Sequence, residues 1–160
     1  WKSARTHKVG QADDQWISIL EDPTNVESSR HGDKKDSGGY SDNLNEAKDG
    51  PGFMHGTDPA AIVIIKGEEV PLDAGKLANG AVVPGFVIAP AVGSRGDVAA
   101  TGVWKDGKWT VVLVRTLDTG NEDDVTFSPP KAYPFGLGVT DDNGGNEHTV
   151  VPDVLTLEWQ

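Results

Sequence analysis

Met54 is the only methionine of the chain, and it ends the run Pro51-Gly52-Phe53-Met54, directly before His55. A thioether does one of two things. It fills an irregular gap in an apolar core, or it serves as a soft axial ligand for haem iron. On a strand, adjacent side chains point to opposite faces, so Met54 and His55 do not reach one iron from the same side. The four histidines, His7, His31, His55 and His148, show no HExxH spacing and no other short two-histidine motif. There is no cysteine. That excludes disulfides, thiolate zinc sites, cysteine-held iron–sulfur clusters and thioether-linked haem.

Other chemistries find less support. No GxSxG element marks a serine nucleophile. The run Gly93-Ser94-Arg95-Gly96 lacks the Gly-Lys-Ser/Thr ending of a phosphate loop. Acidic residues are abundant, but nothing singles out two of them as a glycosidase pair. Asp141–Glu147, with the sequence DDNGGNE, offers oxygen ligands on a glycine-containing loop. It departs from the EF-hand pattern, so calcium is weakly supported there and a solvent loop is the plainer reading. Acidic residues outnumber basic ones by 25 to 14, a formal net charge of -11. The chain therefore has no basic footprint for nucleic acid and no attraction to an anionic membrane surface. No apolar run is long enough to span a bilayer.

The elements that must position these groups read as strands. Residues 21–58 carry almost no apolar pattern, and a polar loop of that length is functional or disordered. From Ala60 onward apolar runs alternate with turns. Ala61–Ile65 and Val82–Ile88 are strand candidates, the second with Pro84 marking an edge. Asp106-Gly107 sits between two patterned runs, Ala99–Trp104 and Lys108–Arg115, which predicts a hairpin. Apolar residues on both faces of Lys108–Arg115 predict a central strand. Leu155, Leu157 and Trp159 alternate with Thr156 and Glu158, as a half-buried strand requires. Glycine (20) and proline (10) supply many turns. The expected architecture is all-β: an antiparallel β-sandwich with long loops and little helix, forming a single domain over residues 1–160 excised from a longer chain.

Four stretches together resemble the haem-binding domain shared by the gamma subunit of ethylbenzene dehydrogenase, the haem b subunits of related DMSO-reductase-type enzymes and certain multidomain cytochromes. They are Trp1–Arg5 with Ala12–Asp14, Gly39–Asp42 through Pro51–Met54, Gly102–Arg115 with Leu117–Gly120, and Tyr133–Asp142 with His148. The resemblance implies a β-sandwich holding one noncovalent haem b, with no activity alone, that passes electrons to or from a redox protein or another haem domain. It also implies a periplasmic or extracellular location. The family's axial pair resembles methionine plus lysine. Met54 stands at the methionine position, and the opposing position falls near His148. No lysine follows Lys131, so His148 is the expected second ligand, with Lys131 and His55 as competitors. Phe53, Phe86, Tyr133 and Phe135 are available to line the apolar slot, and Arg95 or Arg115 to pair with haem propionates.

Two readings of other classes stand beside this one. Trp104 and Trp109, facing each other near the hairpin, are the platform of a carbohydrate-binding sandwich module. A structural or adhesion domain of an extracellular protein is the other.

Overall fold

The computed structural model describes residues 1–17, 24, 30–32, 37–140 and 149–159. The chain divides into two compact units, Trp1–Asp124 and Val125–Gln160. Among the described residues there are thirteen short strands, three 3-10 turns and no α-helix. The all-β class, the antiparallel pairing and the long loops are those expected from the sequence. The pairing is spread over several small sheets.

In the first unit, β1 (Gln15–Ile17) pairs with β2 (Arg30–Gly32), and the rings of Trp16 and His31 stack across the pair at 4.3 Å. β3 (Gly39–Asp42) runs antiparallel to β7 (Phe86–Ala89), which also takes the short β5 (Ile64–Ile65) in parallel on its other side. β4 (Phe53–His55) pairs with β6 (Glu69–Pro71), placing Met54 opposite Val70. Among the described residues, Ile64, Ile88, Met54, Ala12 and Ala100 are the buried apolar ones, and Asn43 is the buried polar one.

The longest ladder is the predicted hairpin, β8 (Ala99–Lys105) with β9 (Lys108–Val114). Asp106 and Gly107 both take positive φ, 52° and 75°. Two left-handed residues form the tight turn whose twist matches the flanking strands, and Asp-Gly tolerates it. The expectation of a central strand is not met among the described residues. There β9 pairs with β8 alone, and Val103, Val112 and Val114 share an exposed face of the ribbon. Apolar alternation on both faces records a demand for burial, not which neighbour supplies it.

The start of the chain docks on this region. Ala12 N–H donates to Val98 O at 2.9 Å, and Ala100 N–H donates to Gly10 O at 2.8 Å. The Gln11 amide bonds to Ala91 through both its oxygen and its nitrogen, at 2.9 Å each, and also donates to Gly96 O. Trp1 lies over Gly102, where any Cβ would run into its ring, and meets Trp109 edge-on at 5.2 Å.

In the second unit, β10 (Tyr133–Phe135) pairs with β13 (Leu155–Leu157), and β11 (Gly138–Val139) with β12 (Thr149–Val150). The alternation at the end of the chain is realised, but the strand stops at Leu157. Trp159 lies beyond it and donates its indole N–H to Lys131 O at 2.8 Å.

Candidate functional site

Met54 is held from two sides. Its side chain is 3% exposed. Its sulfur accepts the N–H of Asp73 at 3.4 Å, just past the end of β6. On the other side, the buried Asn43 amide binds the backbone at Gly52, Phe53 and Pro84. Phe53 precedes Met54 on the strand and is exposed, as alternation requires.

His55 is fully occupied. Its Nδ1 accepts the N–H of Thr57 at 3.2 Å and of Asp58 at 3.0 Å. That leaves the proton of the neutral ring on Nε2, which lies 3.4 Å from Glu68 Oε2. The two ring nitrogens are thus committed to the β4–β6 turn region.

The guanidinium of Arg95 binds Asp13 through Nε at 2.6 Å and Nη2 at 3.3 Å, and donates through Nη1 to Gly38 O at 2.8 Å. Arg115 lies 3.9 Å from Asp124. Phe86 meets Tyr40 edge-on at 5.2 Å, with Arg5 over the Tyr40 ring. In the second unit the Tyr133 hydroxyl accepts from Ser128 N–H and donates to Thr126 O, while its ring receives Phe127 edge-on. Lys131 Nζ lies 5.1 Å from the centre of the same ring. Phe135 is exposed and pairs with Leu155. His148 and the Asp141–Glu147 loop lie outside the described residues. Met54, Phe53, His55, Phe86, Arg95 and Arg115 therefore belong to the first unit, and Tyr133, Phe135 and Lys131 to the second.

Trp104 and Trp109 face each other across the hairpin, but their rings are tilted by 52°. They do not present one flat sugar platform. A surface hollow of about 350 Å³ lies beside Lys8, Asp58, Ala61, Ile62, Val63 and Glu68, and Met54 is not in its lining.

One grouping was not legible in the sequence. Carboxylate oxygens of Asp14, Asp97 and Asp124 lie within 4.8 Å of one another. Asn121 donates to both Asp97 and Asp124, and Thr119 donates to Asp124 at 2.6 Å. Burial pushes the Asp14 carboxyl up to about 6, against the pull of the Gln15 N–H, and the charge of Asp124 adds to the rise. Burial likewise raises Asp97, with Asp124 again adding to it. Burial also acts upward on Asp124, but hydrogen bonds from Thr119, Asp97 and Asn121 outweigh it and hold that group low.

A carboxyl raised in the folded state binds its proton before the unfolded chain does. Its contribution to stability therefore grows as pH falls from about 6 towards the unfolded value near 4. Asp14→Asn removes that charge and keeps an oxygen for the Gln15 N–H. It is expected to raise the unfolding midpoint at pH 7 by about 2–4 °C. The gain should shrink towards zero at pH 4. Thermal melts at the two pH values check this, and an equal shift at both would refute the assignment to Asp14.

A family model described as Ethylbenzene dehydrogenase matches residues 1–150. No curated protein and no solved structure matches the chain.

Proposed function

The chain belongs to the ethylbenzene dehydrogenase family, and from that premise we propose that it binds one noncovalent haem b and carries electrons to or from a redox partner, without activity of its own. The observation that carries the reading is the extent of the match. Residues 1–150 take in both Met54 and His148.

The donor chemistry of Met54 fits such a group. Its thioether is the only sulfur in the chain, and among the described residues the one hydrogen bond it receives comes from a backbone N–H. A sulfur with one lone pair on an amide keeps another for a soft metal. His148 would supply the second ligand. An imidazole is neutral near physiological pH, whereas a lysine ligand must first lose a proton from a group whose ordinary pKa is about 10.4. Phe53, Tyr133 and Phe135 are the aromatic residues assigned to the apolar surround. When bound, haem would supply a one-electron carrier. A thioether ligand would favour the reduced state and raise the potential. Two protein ligands together also keep small molecules off the metal, which suits electron transfer rather than oxygen chemistry.

Absence of cysteine makes the attachment noncovalent. Among the described residues no helix is long and apolar enough to cross a membrane. The partner is proposed to be another redox protein or haem domain, met in the periplasm or outside the cell.

The test is an absorption spectrum of the protein expressed with adequate haem, oxidised and then reduced. A Soret band that shifts on reduction is expected, and acidified organic solvent should extract all the colour. Protein that never takes up haem, or colour that stays with the polypeptide, would rule the proposal out.

A further inference from the structure

The side chain of Asn43 is 2% exposed and satisfies its polar atoms on two segments of backbone. Its Oδ1 accepts the N–H of Phe53 at 2.9 Å and of Gly52 at 3.2 Å. Its Nδ2 donates to Phe53 O at 2.9 Å and to Pro84 O at 2.8 Å. The backbone N–H of Asn43 adds a bond to Gly85 O at 2.9 Å.

The register explains why an amide is needed there. Leu72 N–H donates to Gly52 O at 2.9 Å, and Phe53 stands opposite Pro71. In an antiparallel pair of this phase, the N–H and C=O of Phe53 face away from β6. Asn43 takes both of them, as a neighbouring strand would. A carboxylate would repel the two carbonyls, and an aliphatic side chain would leave two donors and two acceptors unmet. The approach is close enough that a Cβ on Gly52 would lie 2.6 Å from Leu44 O.

The Phe53 carbonyl belongs to the peptide bond that leads into Met54. From there the side chain reaches the Asp73 N–H at its far end. We propose that Asn43 is the positioning residue for Met54: by replacing a strand on the open edge of β4, it sets where the only sulfur of the chain stands. Its consequence at iron rests on the function proposed above. The clamp itself rests on the hydrogen bonds alone.

The test uses the folded, haem-free protein and dilute hydrogen peroxide. Oxidation of Met54 is followed by mass spectrometry of the peptide that contains it. Since no other methionine exists, the sulfoxide signal has one source. Asn43→Asp and Asn43→Ala are expected to speed it by about ten-fold or more, because unmet buried groups favour local opening. Ile64→Val, which trims a fully buried residue outside the clamp, should lower the melting temperature and leave the oxidation rate unchanged. Wild-type oxidation rates in both Asn43 variants, or equal acceleration by Ile64→Val, overturn the proposal. If neither Asn43 variant folds, amide hydrogen exchange of the unaltered protein decides it. The Gly52 and Phe53 amides should be strongly protected, and fast exchange at both overturns it. In haem-loaded protein, Met54→Leu separates the two readings. An unchanged haem spectrum there, with faster oxidation in Asn43→Asp, removes Met54 as an iron ligand and leaves the clamp standing.

Discussion

Met54→Ala is expected to destabilise the haem-free chain by about 2–5 kcal/mol, the usual range for emptying a buried methionine site. Met54 is one of few buried apolar residues, so little nearby packing exists to absorb the loss. The alanine also leaves the Asp73 N–H without its sulfur acceptor. Met54→Leu keeps the volume and should cost less than about 1.5 kcal/mol. That difference makes leucine the informative variant for function. In haem-loaded protein, Met54→Leu should lower the reduction potential and open the metal to small ligands, with the fold intact. Denaturant melts and potentiometry of both variants check the two halves separately. Equal stability of the alanine and leucine forms would mean that burial at Met54 contributes little. An unchanged potential in the leucine form would mean that the thioether is not on the iron.

Arg95→Met should produce a loss of similar size for a different reason. The Arg95–Asp13 pair is largely buried, with side-chain exposures of 14% and 17%. It is also bidentate, and the same guanidinium binds Gly38 O. Removing the cation takes the bidentate partner from a desolvated carboxylate and leaves it only the charge of the Trp1 α-amino group. Breaking one partner of a buried pair costs about 3–5 kcal/mol. Since both groups keep some contact with solvent, the lower end, about 3 kcal/mol, is expected. Adding Asp13→Asn to Arg95→Met should recover a substantial part of that loss, because the orphaned charge is gone. A double-mutant cycle by denaturant unfolding measures it. Additive losses would show that the pair is not coupled and that Arg95 acts through its other contacts.

How much of this was readable in advance depends on how local each signal is. The β8–β9 hairpin was legible because Asp106-Gly107 and the flanking alternation are contiguous, and the turn chemistry is set by those two residues. Met54 stood out as a chemical group, but its partner, the Asp73 amide, is a backbone atom that no residue type announces. From the sequence, Arg95 is expected to pair with a haem propionate, whereas in the fold its guanidinium is bound to a carboxylate of the chain itself. That its carboxylate is Asp13, on a segment 82 positions away, needed the fold. Asparagine in a polar stretch reads as a turn residue, and the role of Asn43 appears only with the fold, where it meets the edge of β4 that faces away from β6. The Asp14, Asp97 and Asp124 group was hidden for the same reason. Each residue sits in its own polar surroundings, and an acidic chain offers many such candidates.

The docking of residues 1–14 onto residues 91–102 also bears on how fast the molecule can form. Gln11, Ala12, Asp13 and Trp1 each have a partner some ninety positions further on. During synthesis those first residues leave the ribosome long before their partners exist. They must wait without a sheet edge or a cover for Trp1. Closing so long a loop costs entropy before any contact rewards it, and a topology dominated by such distant pairings has high contact order. The β8–β9 hairpin needs only neighbours and can form early. The docking of residues 1–14 is therefore expected to be a late step in the folding of the first unit.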